Sequence, residues 1–306
     1  MEIKFWGVRG SIACPGPDTV HYGGNTACIE LNIGDPDRLI IIDAGSGIRV
    51  LGHDLKERGL LRHPLVADIF LSHTHWDHIM GFPFFDPIYL PDTRLNIYGP
   101  VTYEEESLDK IIGDQLSYRY FPVLHSELAS KLDYHQIGEG ELDLGDGIRL
   151  KTKYLNHTLQ CLGYRFEYQG KSVCTAFDTE PYRNLFAMPP ESPDYDPVTA
   201  EQGEQAASEE NQRQVDFFRN ADVLIHDAQY TREEYDPSKL GWGHSPFDYA
   251  VDAAVKAQVK QLYLFHHDPL RTDASLSALE KRYQEQYAGD SYPQIAVARE
   301  GVRIRL

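Results

Sequence analysis

Three histidines and an aspartate crowd one hexapeptide, His73-Thr74-His75-Trp76-Asp77-His78. Imidazole nitrogens and a carboxylate this close together, on a tight loop leaving the apolar run Val66 to Leu71, can diverge to two sides and bind two borderline cations at once. The spacing therefore points to a dinuclear metal site. A polar turn would account for one histidine far more readily than for three with an aspartate. Further candidates stand at the ends of later apolar runs: His157 in Leu155-Asn156-His157-Thr158, Asp178 in Ala176-Phe177-Asp178-Thr179, and His266 in Phe265-His266-His267-Asp268-Pro269. Taken singly, His and Asp are ordinary strand-ending residues. Taken with the first loop, they suggest several strands aiming their ends at one place. Cys14, Cys28, Cys161 and Cys174 are widely spaced without Cys-x-x-Cys pairing, so they read as free thiols and leave the metal chemistry to histidine and carboxylate.

Elements that could carry these residues follow from period and punctuation. Ile3 to Trp6, Ala27 to Ile33 and Leu39 to Ile42 read as strands, with turns at Gly23-Gly24-Asn25 and Gly34-Asp35-Pro36-Asp37. Apolar Ile48, Leu51 and Leu55 predict a helix over Ser46 to Arg58. Val66 to Leu71 is a buried strand delivering the histidine loop, followed by a strand Leu95 to Tyr98 and a helix Tyr103 to Ile112. Gly113 to Ser130 is aromatic-rich and irregular. Strands Ile148 to Tyr154, Leu162 to Tyr168 and Ser172 to Phe177 read as a meander. A helix Glu209 to Arg219, a strand Val223 to Ile225, a helix Pro246 to Ala257, a strand Gln261 to Phe265, a helix Ala274 to Tyr287 and two short terminal strands complete the chain. Two β-rich halves with helices outside suggest an αββα sandwich, one domain over residues 1–306. Residues 189–212 carry seven acidic side chains and no Lys or Arg, with several prolines, and read as a solvated, mobile insertion.

The 306 residues, 42% hydrophobic, can bury a large core. The N-terminus begins at once with strand-like alternation, and no stretch approaches a membrane span, so a cytoplasmic protein is expected with no membrane partner. Forty-seven acidic against 29 basic side chains, a formal charge of -18, repel long polyanions and make long nucleic acid a poor partner.

The order Ile42-Asp43-Ala44-Gly45-Ser46-Gly47, the H-T-H-W-D-H element, His157, Asp178 and His266 resembles the five motifs of the metallo-β-lactamase superfamily of hydrolases. The resemblance implies a four-layer αββα sandwich with the active site at one edge between the sheets. It also implies that His73, His75 and His157 hold one cation, that Asp77, His78 and His266 hold a second, and that Asp178 bridges them. Asp43 would be a buttress, and His266 is preferred to His267 because it comes first after its strand. The cations would be zinc, with manganese or iron acceptable to the same ligands. A hydroxide shared between two cations, not a side chain, would be the nucleophile. Ser46, in Gly45-Ser46-Gly47, lacks the nucleophile-elbow pattern.

Leu224-Ile225-His226-Asp227-Ala228 and Gly241-Trp242-Gly243-His244-Ser245 look like a motif pair of the phosphodiesterase branch, which includes ribonuclease Z, PhnP-type and anti-Pycsar-type enzymes. The likeness implies that His244, oriented by Asp227, protonates the departing alkoxide, with Asp77 the third catalytic side chain. The competing reading makes His244 a cap for the helix at Pro246. His226 reads as structural. The expected substrate is a small phosphodiester such as a cyclic nucleotide, with Tyr118 or Phe121 available to stack a base. Hydrolysis of a thioester or lactone is the alternative, ahead of tRNA 3′ processing and of a non-hydrolytic metal sensor. Family analogy also implies a homodimer through the aromatic region around Tyr120. Ala176-Phe177 before Asp178 departs from relatives that carry a glycine there.

Overall fold

The computed structural model describes residues 1–34, 37–102, 106–235, 238–289 and 291–306, and in it the strand-forming runs assemble into two seven-stranded sheets packed face to face. The first sheet runs β14 (Arg303–Arg305), β1 (Glu2–Gly7), β2 (Cys28–Gly34), β3 (Asp37–Ile42), β4 (Val66–Phe70), β5 (Arg94–Pro100) and β6 (Lys131–Ile137). The second runs β13 (Gln294–Val297), β12 (Gln261–Phe265), β11 (Val223–Asp227), β10 (Lys171–Ala176), β9 (Cys161–Tyr168), β8 (Ile148–Leu155) and β7 (Gly140–Gly145). Between them lies one apolar layer: Phe5, Ile29, Ile42 and Phe70 of the first sheet meet Leu162, Phe166, Ile225 and Phe265 of the second. The rings of Phe70 and Phe166 stand edge to face with centroids 5.3 Å apart.

Helices seal the two outer faces, which makes the architecture αββα. On the first sheet, α1 (Gly47–Glu57) buries Ile48, Leu51 and Leu55, while α2 (Trp76–Ile79) and α3 (Leu108–Asp114) add Ile79, Leu108 and Ile112 to the same cluster. On the second, α4 (Pro197–Phe218), α6 (Phe247–Lys256) and α7 (Asp273–Gln286) bury Val215, Phe218, Phe247, Val251 and Leu276. The short α5 (Arg232–Tyr235) buries nothing. Among the described residues no helix is long and apolar enough to cross a membrane. All four cysteines are free, and Cys28, Cys161 and Cys174 are buried.

The structure departs from the sequence reading in three places. β6 and β7 were not anticipated; both are edge strands whose apolar alternation is short, Leu132 and Tyr134 in one and Leu142 and Leu144 in the other, and only partly buried. Residues 189–212 are not uniformly irregular. From Pro197 onward they belong to α4, which starts early because the Asp196 carboxylate accepts from the backbone N–H of Val198 and Thr199 and Pro197 suits a first helical turn. Third, Trp76, Asp77 and His78 lie on a turn of helix inside the expected loop. The expected turn at Asp35 and Pro36, and Tyr103 to Glu105 of the expected helix, lie outside the described residues.

Strand direction brings the polar ends together. β3 and β4 pair in parallel, as do β10, β11 and β12, with Ile42 opposite Phe70, Ala176 opposite His226 and Asp227 opposite Phe265. Their carboxyl ends share one edge, and β8, separated from β10 by the antiparallel β9, ends there too. Ligands in open α/β sheets collect at such an edge.

Candidate metal centre

Asp43, His73, Asp178, Asp227 and His266 follow or end β3, β4, β10, β11 and β12, and all five are buried. At Asp43, Asp178 and His266 the backbone turns into the left-handed region, with φ of 60°, 45° and 62°. Aspartate and histidine tolerate that region better than the β-branched residues of the strands themselves. The abrupt turn ends each strand and swings its side chain over the sheet edge.

Two groups of ligand-type atoms result. In the first, His73 Nε2 lies 2.9 Å and His157 Nε2 3.1 Å from His75 Nδ1, with Asp178 Oδ2 3.5 Å from His73 Nε2 and 3.8 Å from His157 Nε2. In the second, His266 Nε2 lies 3.3 Å from His78 Nε2, 3.1 Å from Asp77 Oδ2 and 3.1 Å from Asp178 Oδ1. Asp178 thus turns one oxygen to each group. His267, the rival of His266, faces away, its Nε2–H donating to the Ala298 carbonyl at 2.8 Å.

The outward nitrogens fix what the inward ones can do. His157 Nδ1 meets the Gly243 carbonyl at 2.9 Å and must carry the hydrogen there, and His78 Nδ1 meets Asp43 Oδ2 at 2.7 Å in the same sense. In the neutral form that a metal ligand adopts, their Nε2 atoms keep lone pairs aimed at other ring nitrogens or at carboxylate oxygens. Lone pairs converging without a donor need an electrophile. The inward separations are near the roughly 3.3 Å edge of a tetrahedron whose ligands stand about 2.0–2.1 Å from a zinc ion, so the residues fit a pair of cations. Asp178 Oδ1 is buried without a hydrogen-bond donor, which is a further sign of the same need.

Electrostatics agree. Burial, with the neighbouring His78, pushes His73 well below its ordinary value, and burial takes His157 down to about 4, so both rings are neutral at pH 7, as ligands must be. Burial also opposes charge on His78, but Asp178, Asp77 and Asp43 outweigh it and raise that ring. This concentration of carboxylate is what cations would balance. Burial would raise Asp178, yet His266, His78 and His73 hold its carboxyl far below the usual range.

Beside this cage sits a second constellation. His244 Nδ1 lies 3.1 Å from Asp227 Oδ2, and its ring stacks on that of His266 at 4.8 Å between centroids. The same carboxylate oxygen accepts from the backbone N–H of Thr179 and Ser245, so Asp227 is locked and His244 Nε2 remains available. Burial lowers the His244 pKa, but Asp227 and then Asp178 and Asp77 more than offset it, and the ring is pushed up to about 9. The competing reading of His244 as a helix cap is not what the ring does, since its Nδ1 faces Asp227 and the N-cap position of α6 is Pro246. His226 lies behind the site, its Nδ1–H on the Asp227 carbonyl and its ring against Phe218.

Sequence reasoning missed the groups that hold these side chains from outside. The Ser11 backbone N–H donates to Asp77 Oδ2 at 2.7 Å, and the Ser72 N–H and hydroxyl donate to Asp43 at 2.6 and 2.8 Å. A main-chain donor has no signature in residue type. An apolar groove of about 910 Å³ borders the histidine loop through Thr74 and Trp76, with Phe84, Tyr120 and Phe121 along it. It lies beside the cage, and Tyr118 is not part of its wall.

No protein-family model matches the chain. Ribonuclease Z of Lactococcus lactis subsp. cremoris (strain MG1363) is 27% identical to it, the alignment covering 94% of this chain and 95% of the relative. Among solved structures, the metallo-β-lactamase fold protein YhfI from Bacillus subtilis superposes with a TM-score of 0.65 at 18% identity, covering 99% of each chain. A diphosphatase from the PhnP family does so with a TM-score of 0.61 at 16% identity, covering 100% of this chain and 97% of its own. With a relative aligned almost end to end and folds that superpose on the entire molecule, the chain has the metallo-β-lactamase fold and is similar along almost all its length to the ribonuclease Z group of metal-dependent hydrolases.

Proposed function

We propose that this chain hydrolyses a phosphodiester, with His73, His75, His157 and Asp178 holding one zinc ion and Asp77, His78, His266 and Asp178 the other. The observation that carries this reading is the Asp227–His244 pair stacked against the ring of His266. Acyl substrates have little use for it, whereas an alkoxide leaving a phosphodiester is poor and gains from a positioned acid. When bound, the cations would supply an ionised water at neutral pH and positive charge for the substrate oxygens. The protein does the rest. Asp178 sets the spacing of the two half-sites, Asp43 and the Gly243 carbonyl fix the tautomers of His78 and His157, and Asp227 keeps His244 turned to hand a proton to the departing oxygen.

For the substrate we favour a small diester such as a cyclic nucleotide. The excess of 47 acidic over 29 basic side chains weakens attraction for a long polyanion, whereas a small diester needs only the site itself. A specific observation favours a second reading: the relatives aligned along most of the chain are named ribonuclease Z, so an RNA substrate belongs in the same test.

The test is zinc-loaded protein offered bis(p-nitrophenyl) phosphate, cyclic mononucleotides, a short RNA and an aryl thioester. Diester turnover is expected, abolished by Asp178→Ala. His244→Ala should cost about 10²–10⁴-fold on the cyclic nucleotide and much less on the nitrophenyl ester, whose leaving group needs no acid. Turnover of the thioester alone would refute the phosphodiesterase reading, and turnover of RNA without cyclic nucleotides would replace the small substrate by a nucleic acid.

A further inference from the structure

Two glycines outside the ligand-bearing segments touch the two half-sites, one each. Gly10 lies so close to His266 that a methyl group on its Cα would stand 2.3 Å from the ring carbon Cε1 and 2.4 Å from Nδ1. Gly243, at φ 81°, lies against His157, where a methyl group would stand 2.2 Å from Nδ1. Contacts under 3.0 Å are not sustained by real methyl groups, so in each place either ring or backbone would have to move.

Each glycine belongs to a strap anchored elsewhere. The first is Arg9-Gly10-Ser11. The fully buried Arg9 guanidinium donates to the carbonyls of Gly23, Asp268 and Arg271, the Gly10 N–H donates to the His267 carbonyl, and the Ser11 N–H holds Asp77. Through Gly10 and Ser11 this strap reaches His266 and Asp77, both in the second half-site. The other strap is Gly241-Trp242-Gly243. The buried carboxylate of Glu180 accepts from the N–H of Gly241 at 2.8 Å, the N–H of Gly243 at 3.0 Å and the hydroxyl of Tyr235 at 2.8 Å. The Gly243 carbonyl in turn orients His157, in the first half-site.

We infer that the two straps position the two cations independently: Arg9 and Gly10 set the affinity of the Asp77, His78 and His266 half-site, and Glu180 and Gly243 that of the His73, His75 and His157 half-site. The inference rests on the dinuclear reading above. Groups behind metal ligands typically change affinity by about 10–100-fold when lost, and here the loss should fall on one ion of the pair. The four are positioning residues, acting through ligand geometry.

The experiment is titration of metal-free protein with zinc by calorimetry, with elemental analysis and with anomalous scattering from crystals to locate the retained ion. Wild-type protein should bind two ions. Gly10→Ala should weaken the second half-site at least tenfold and leave the first within threefold, and Gly243→Ala should do the reverse. Arg9→Lys and Glu180→Gln loosen the same straps without adding an atom beside a ring, and they should repeat the pattern in milder form if an alanine variant fails to fold. Gly16→Ala, in the same N-terminal loop with nothing within 4 Å of the added methyl, should match wild type. Loss of both ions together in folded variants, or unchanged binding in all four, overturns the inference while the dinuclear reading stands. Fewer than two ions in the wild-type protein overturns both.

Discussion

Asp43 shows how far a single side chain outside the ligand set governs the centre. It is fully buried and takes two donors from Ser72 and the Nδ1–H of His78, so its negative charge is spent on keeping one tautomer of one ring. Burial pushes its pKa upward, against the lowering pull of His78 and Ser72. Asp43→Asn keeps the shape and removes the charge. It should weaken zinc at the His78 half-site by about 10–100-fold in a chelator competition; unchanged affinity would mean that Ser72 and packing alone orient the ring. Residue-level chemistry was the most legible layer of this sequence. His73, His75, Asp77 and His78 announce themselves by adjacency, and His157, Asp178 and His266 by their place after apolar runs. Ser11 and Glu180 did not, because one acts through its main-chain N–H and the other through main-chain donors of a distant loop.

Among the elements, legibility tracked burial. The strands that carry the site have buried side chains along almost all their length and were read close to their true bounds, whereas β6 and β7, at sheet edges, bury only Ile137 between them. Helix α4 was read too short for a related reason. Its first turns are polar and acidic, and only Gly203 and Ala207 are buried before Gln214, so periodicity begins near its end. That end matters most to the fold, since Phe218 is fully buried among the apolar side chains under α4 and α6 and stands 5.6 Å from the ring of His226. Phe218→Ala should cost about 3–5 kcal/mol in urea unfolding, with diester turnover per folded molecule little changed. A loss below 1 kcal/mol would show that α4 is only loosely attached to the sheet.

At the level of the whole molecule, the polypeptide passes from the first sheet to the second between Ile137 and Gly140 and sends back only β14. The histidine hexapeptide issues from the first sheet, while His157, Asp178 and His266 issue from the second. In the proposed holoenzyme each ion is therefore a rivet through both halves of the sandwich. A protease cut engineered between Gly138 and Glu139 should yield two fragments that migrate as one particle, and chelation should lower the urea concentration at which they part. Parting at the same urea with and without zinc would show that the apolar seam holds the halves unaided. Riveting of this kind makes the enzyme a reporter of its own metal supply, because starvation for zinc would expose the seam to proteolysis and remove idle molecules along with their activity.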